Sequence, residues 1–147
     1  FDSGYATDPT LGQVDGTRYL CVYQGNTLQG CAIVLTVNTG DWTVGKATAS
    51  CSVIESDQAY TPALCRIDGT NFLCSYRGST NTGTAAVLVV NSGDWSVSGQ
   101  TPLVFEEVLC AAPALCEIDA LRYLCAYSNA ANGGYAGVLE PGAALFP

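Results

Sequence analysis

Glu55, Glu106, Glu107 and Glu117 are the side chains whose type most invites a reaction. Glycoside hydrolysis needs two carboxyl groups facing each other across a cleft, one of them with a raised pKa. Nothing in the spacing of these four sets such a distance, and neighbours such as Glu106 and Glu107 point to opposite faces of any strand that carries them. A nucleophile activated by imidazole is excluded, because the chain has no histidine. No glycine-rich phosphate loop and no Asp-x-Asp-x-Asp-Gly calcium order occurs. The eight cysteines contain no Cys-x-x-Cys pair, so zinc is not expected either. The expectation from chemistry alone is a chain that is not an enzyme, with no catalytic residue, metal or cofactor.

The composition narrows the partners. The net charge is −8, and the five basic residues Arg18, Lys46, Arg66, Arg77 and Arg122 are scattered. Neutralising phosphates takes clustered Lys and Arg, so nucleic acid is not an expected partner, nor is an anionic membrane surface. At 48% hydrophobic and 12% charged the chain is too apolar for disorder. Its longest apolar runs, such as Ala85 to Val90, are too short for membrane insertion. The absence of methionine suggests a processed or excised segment, secreted to an extracellular or cell-surface location, with any export signal removed.

What must position any site is a block of about fifty residues written three times. Pro9-Thr10-Leu11, Pro62-Ala63-Leu64 and Pro113-Ala114-Leu115 open the copies. Acidic turns follow at Asp15, Asp68 and Asp119, and then the aromatic-Leu-Cys-small-Tyr strands Tyr19 to Tyr23, Phe72 to Tyr76 and Tyr123 to Tyr127. A period of this size marks stacked or radially arranged supersecondary units. The chain reads as one repeat domain over 1–147, with repeats at about 9–61, 62–112 and 113–147, and 1–8 as the tail of a preceding blade. In copy two the spacing predicts strands over 63–68, 72–76 and 84–90, and a fourth running from Trp95 towards Phe105. Copy three stops at its third strand, Tyr135 to Leu139, and lacks the Gly-Asp-Trp turn of its neighbours. The expectation is all-β: three four-stranded antiparallel propeller-type blades, the third incomplete. A β-trefoil is the alternative, since it too uses three four-stranded repeats.

The cysteines fit an oxidised compartment as disulfides, or a core as small hydrophobes. A two-residue turn after Asp68 sets Cys65 opposite Cys74, and the same register sets Cys116 opposite Cys125. Copy one carries Gly12 where the first-strand cysteine would be, which leaves Cys21 to pair with Cys31. Cys51 and Cys110 are left over, to pair together, with another chain or not at all.

The pattern Pro-x-Leu-x-x-Ile-Asp-Gly-Thr-x-Phe/Tyr-Leu-Cys-x-Tyr followed by Val-Leu-x-Val-Asn-x-Gly-Asp-Trp resembles the tandem propeller-type repeats of large secreted microbial surface proteins. The resemblance covers most of the chain, from about Pro9 to Val138, and carries no catalytic signature. Asn38 to Trp42 and Asn91 to Trp95 are similar in position to the Asp-box turn of sialidase-type propellers, without its full Ser-x-Asp-x-Gly-x-Thr-Trp order. In that family the box is a fold-stabilising turn.

Three blades with an unfinished third expose apolar end faces and an unpaired edge. The functional expectation is a non-catalytic extracellular structural module that self-assembles, as a homo-oligomer or a filament-like polymer, through blade ends or strand complementation. The alternative is a lectin-like propeller binding glycans through Tyr5, Tyr60, Tyr135, Asn26, Asn81 and Asn132, which lie in or near loops. A glycosidase fragment comes third. Asp15, Asp68, Asp119, Asp41 and Asp94 read as turn residues that bond their own backbone.

Overall fold

The alternating strands fold into three separate sheets. The computed structural model describes residues 4–129 and 133–141, so Asn132 lies outside the described residues. Sheet one holds β1 (Thr7–Gln13), β2 (Arg18–Gln24), β3 (Gly30–Val37), β4 (Val44–Lys46) and β5 (Ser52–Glu55). Sheet two repeats the plan with β6 (Tyr60–Arg66), β7 (Asn71–Arg77), β8 (Gly83–Val90), β9 (Val97–Gly99) and β10 (Leu103–Glu106). Sheet three holds β11 (Ala111–Asp119), β12 (Arg122–Ser128) and β13 (Gly134–Leu139). All pairings are antiparallel, and no helix occurs among the described residues. Among the described residues no strand of one sheet pairs with a strand of another, as the shared barrel of a trefoil would require. The fourth strand differs from expectation: it is broken, so that β3 receives both β4 and β5, and β8 both β9 and β10.

The hairpin register is one residue away from the expected one. Asp68 Oδ1 accepts the backbone N–H groups of both Thr70 and Asn71 at 2.9 Å, and the N–H groups of Ile67 and Asp68 both point to the Asn71 carbonyl. This Asx turn encloses three residues rather than two. Leu64 therefore faces Cys74 and Cys65 faces Leu73, and in sheet three Leu115 faces Cys125 and Cys116 faces Leu124. A one-residue slip sends a side chain to the other face of the sheet, so the expected pairs Cys65–Cys74 and Cys116–Cys125 do not meet. All eight cysteines are free thiols. Cys21 and Cys31 do share one buried cluster, but in diagonal positions opposite Ile33 and Tyr23. The leftover Cys51 packs against that same cluster, whereas Cys110 interacts with Cys125.

The sheets stack by their apolar faces. One face of sheet one (Leu20, Val22, Ala32, Val34) and the facing side of sheet two (Phe72, Cys74, Tyr76, Leu88, Val90) make one buried cluster. The other side of sheet two (Leu73, Ala85, Val87) meets Tyr123, Cys125 and Leu139 of sheet three in a second. Strands β7 and β8 are thus apolar on both faces, as a sandwiched strand must be. The missing cysteine of copy one has a steric cause here. A Cβ on Gly12 would stand 2.7 Å from the Phe72 ring, which occupies the space between β1 and β7. Polar bonds also cross the first joint, with Arg66 Nη2 donating to the Val14 carbonyl at 3.0 Å.

Candidate functional site

Two rims flank the stacked sheets. The turn rim holds Asp15, Asp68 and Asp119, each accepting N–H groups two or three residues on. These bonds hold the carboxyls below their ordinary range: chiefly the Thr17 N–H for Asp15, the Asn71 amide for Asp68 and the Arg122 guanidinium for Asp119. Asp41 and Asp94 do the same for Thr43 and Ser96. No group of three or more His, Cys, Asp or Glu suited to a metal occurs among the described residues.

The opposite rim gathers the loops after the second strand of each sheet and the connections between sheets. The two kinds of segment are bonded together: Ala59 N–H donates to the Leu28 carbonyl at 3.1 Å, and Cys110 N–H to the Asn81 carbonyl at 2.8 Å. Leu28 and Asn81 hold φ at 70° and 65°, left-handed values that Asn tolerates better than Leu. Asn81 is therefore occupied in part as a backbone device, while its side chain stands at an exposed position. Asn26 and Tyr5 are exposed as well. Tyr60 is half-buried under the Arg77 guanidinium, whose centre lies 4.4 Å from the ring centroid. Arg77 Nε is buried with no hydrogen-bond partner among the described residues. Tyr135, 49% exposed, stacks on Tyr127 at 6.0 Å between centroids, and Phe105 meets Tyr127 edge-on at 5.5 Å. Of the expected loop residues, the structure thus brings Tyr60 to Arg77 and Tyr135 to Tyr127.

A repeated Tyr–Glu bond crosses each joint, and sequence reasoning missed it. Tyr76 of sheet two donates to Glu55 of sheet one at 3.0 Å, and Tyr127 of sheet three donates to Glu106 of sheet two at 2.8 Å. The signal was available in the matching places of Glu55 and Glu106, each just before a connection between sheets. Burial pushes the Tyr127 phenol up to about 12 and raises that of Tyr76 as well, while the Tyr127 hydroxyl holds the Glu106 carboxyl below its usual range. Each pair is a protonated phenol bonded to a carboxylate, a form suited to clamping two sheets. Two cavities lie at the joint of sheets two and three. One, of about 250 Å³, is bounded by Asn71, Val87, Gln100 and Tyr123; the other, of about 270 Å³, by Phe105, Cys125, Tyr127 and Val138.

Comparison with protein-family models gives no match, and neither does comparison with curated protein sequences. Solved structures do match. The NanB sialidase of Streptococcus pneumoniae, in complex with 2-[(3-chlorobenzyl)ammonio]ethanesulfonate, superimposes with a TM-score of 0.64 at 15% identity. A single-residue variant of the same enzyme gives the same figures. The match covers 88% of this chain and 21% of the sialidase, so the chain spans about a fifth of the protein it resembles. The fold is sialidase-propeller-like. This stands against the expectation of a chain that is not an enzyme, because the solved structures that share its fold are sialidases. No helix of the described residues is long and apolar enough to cross a membrane.

Proposed function

We propose that the chain is a three-blade segment of a carbohydrate-related propeller, and that its third blade is a docking face for a further blade. One observation carries this reading. Leu124, Ala126, Ala136 and Val138 are exposed on sheet three, while the matching sets Leu20, Val22, Ala32, Val34 and Leu73, Ser75, Ala85, Val87 are buried against the next sheet. The outer edge of β13 also receives no strand among the described residues, whereas β3 and β8 each receive two. An apolar face with an open edge binds main chain and side chains together. The added blade comes from another copy, as a closed ring or a fibre, or from further sequence of a secreted or surface protein. Val138→Lys tests the reading by sedimentation and by binding of an apolar dye. The expected result is loss of self-association and of most dye binding, with circular dichroism unchanged. Wild-type protein that neither associates nor binds dye would contradict it.

A second reading is glycan recognition at the loop rim, favoured by the sialidase likeness together with Arg77 lying over Tyr60. A guanidinium lying over an aromatic face suits a sugar carrying a carboxylate. On a glycan array the chain is expected to retain acidic glycans, and Arg77→Ala to abolish that retention. Retention indifferent to Arg77→Ala would sink this reading.

A further inference from the structure

We propose that the cavity of about 250 Å³ on the turn rim, between sheets two and three, is a binding site for a small, neutral, planar aromatic molecule of indole size. The proposal concerns a different place from the open face of sheet three and does not depend on that reading.

The chain holds its own example of the contact, at the joint of sheets one and two. There the indole of Trp95, a residue of sheet two, packs against the cluster that contains Val14, Val34, Phe72 and the partly buried Ala47. The Arg18 guanidinium lies 3.9 Å from its ring centroid, a cation–π contact.

The register carries these positions onto the next joint. The Val14 N–H donates to the Arg18 carbonyl as the Ile67 N–H does to that of Asn71. The Ala47 N–H donates to the Val34 carbonyl as the Gln100 N–H does to that of Val87. Tyr123 takes in sheet three the place that Phe72 has in sheet two, opposite Glu117 as Phe72 is opposite Arg66. Ile67, Asn71, Val87, Gln100 and Tyr123 are the walls of the cavity. Asn71 is shorter than Arg18, and the third repeat contains no tryptophan. The place that an indole and a guanidinium fill at the first joint is therefore open at the second.

The walls set the chemistry of the ligand. Val87 and Tyr123 are the buried part of the lining, Ile67 and Pro141 are half-buried, and Gln100, Ala120 and Leu121 are exposed, so solvent reaches the mouth. An apolar cavity of about 150 Å³ admits benzene, and this larger one has room for a two-ring molecule. The Asn71 side-chain N–H donates to Asp68 Oδ2 at 2.7 Å, which leaves the amide oxygens of Asn71 and Gln100 as acceptors for a ring N–H. No described residue of the lining is cationic and Asp68 stands beside it, so an anion is disfavoured.

Indole is the probe, titrated into the full chain and followed by calorimetry and by NMR of the backbone amides. The expected result is one-site binding that saturates by about 1 mM, within the range open to so small a ligand. Amide shifts are expected at Ile67, Asn71, Leu121 and Tyr123, and not at Phe105 or Val138 of the other cavity. N-methylindole, which lacks the N–H donor, is expected to bind about five-fold more weakly, as for one lost hydrogen bond. Benzoate is expected not to bind. Ala120→Trp fills the mouth from an exposed position and is expected to abolish the response, with circular dichroism unchanged. The absence of a saturable response to indole, or binding indifferent to Ala120→Trp, would overturn the proposal. Phe146 has the sequence place of Trp95 in the third repeat and lies outside the described residues. Indole binding that appears only with Phe146→Ala would assign the cavity to the chain's own side chain, and would also overturn it.

Discussion

Phe72→Ala is expected to lower the stability of the chain by roughly 3–5 kcal/mol, as large aromatic truncations in a core do. Phe72 is fully buried, and its ring closes the joint between β1 and β7 against Gly12. Gly12 has no side chain with which to collapse into the space left behind, and the Leu64 side chain nearby is already half-buried in the same cluster. A small domain is stable by only about 5–15 kcal/mol, so this one change removes a large share. Urea unfolding followed by circular dichroism measures it. A loss under about 1 kcal/mol would mean that sheets one and two do not close on this ring.

Alkaline pH is expected to unfold the reduced chain well before strong base. Burial pushes the thiols of Cys21 and Cys125 up to about 11, and those of Cys74 and Cys110 up to about 12, from an ordinary value of 9.0. The folded state therefore keeps these protons while the unfolded chain releases them. Stability is intact below pH 9 and falls as pH rises towards the folded values. Cys74, fully buried in the core of the first joint, contributes about 1.4 kcal/mol of loss per pH unit over that window. The other three thiols act in the same direction. Denaturation midpoints measured in reductant from pH 8 to 10.5 check this, with Cys74→Ala expected to flatten the slope. A flat profile would mean that these thiols are reached by solvent.

The strands and their antiparallel order were legible in the chain, because alternation and turn chemistry are local. The register was not. A two-residue and a three-residue turn share the same Asp-Gly-Thr sequence, and the choice rests on how the Asp68 carboxylate is bonded. That single difference moved Cys65 from Cys74 to Leu73. Tyr76 was readable as core but not as the donor to Glu55, since the partner lies in the preceding repeat. Trp42 and Trp95 look alike in sequence, yet one is exposed and the other packed over Arg18. Trp95 has sheet one to pack on, a long-range partner that no local pattern encodes.

Backbone hydrogen exchange along Gly134–Leu139, measured over a range of protein concentrations, probes the open sheet face most directly. Fast exchange of the outward N–H groups in dilute protein, slowing as concentration rises while β2 and β7 stay protected throughout, is the predicted result. Slow exchange of the whole strand in a dilute monomer would mean that its edge is already occupied, and the chain would need no further blade.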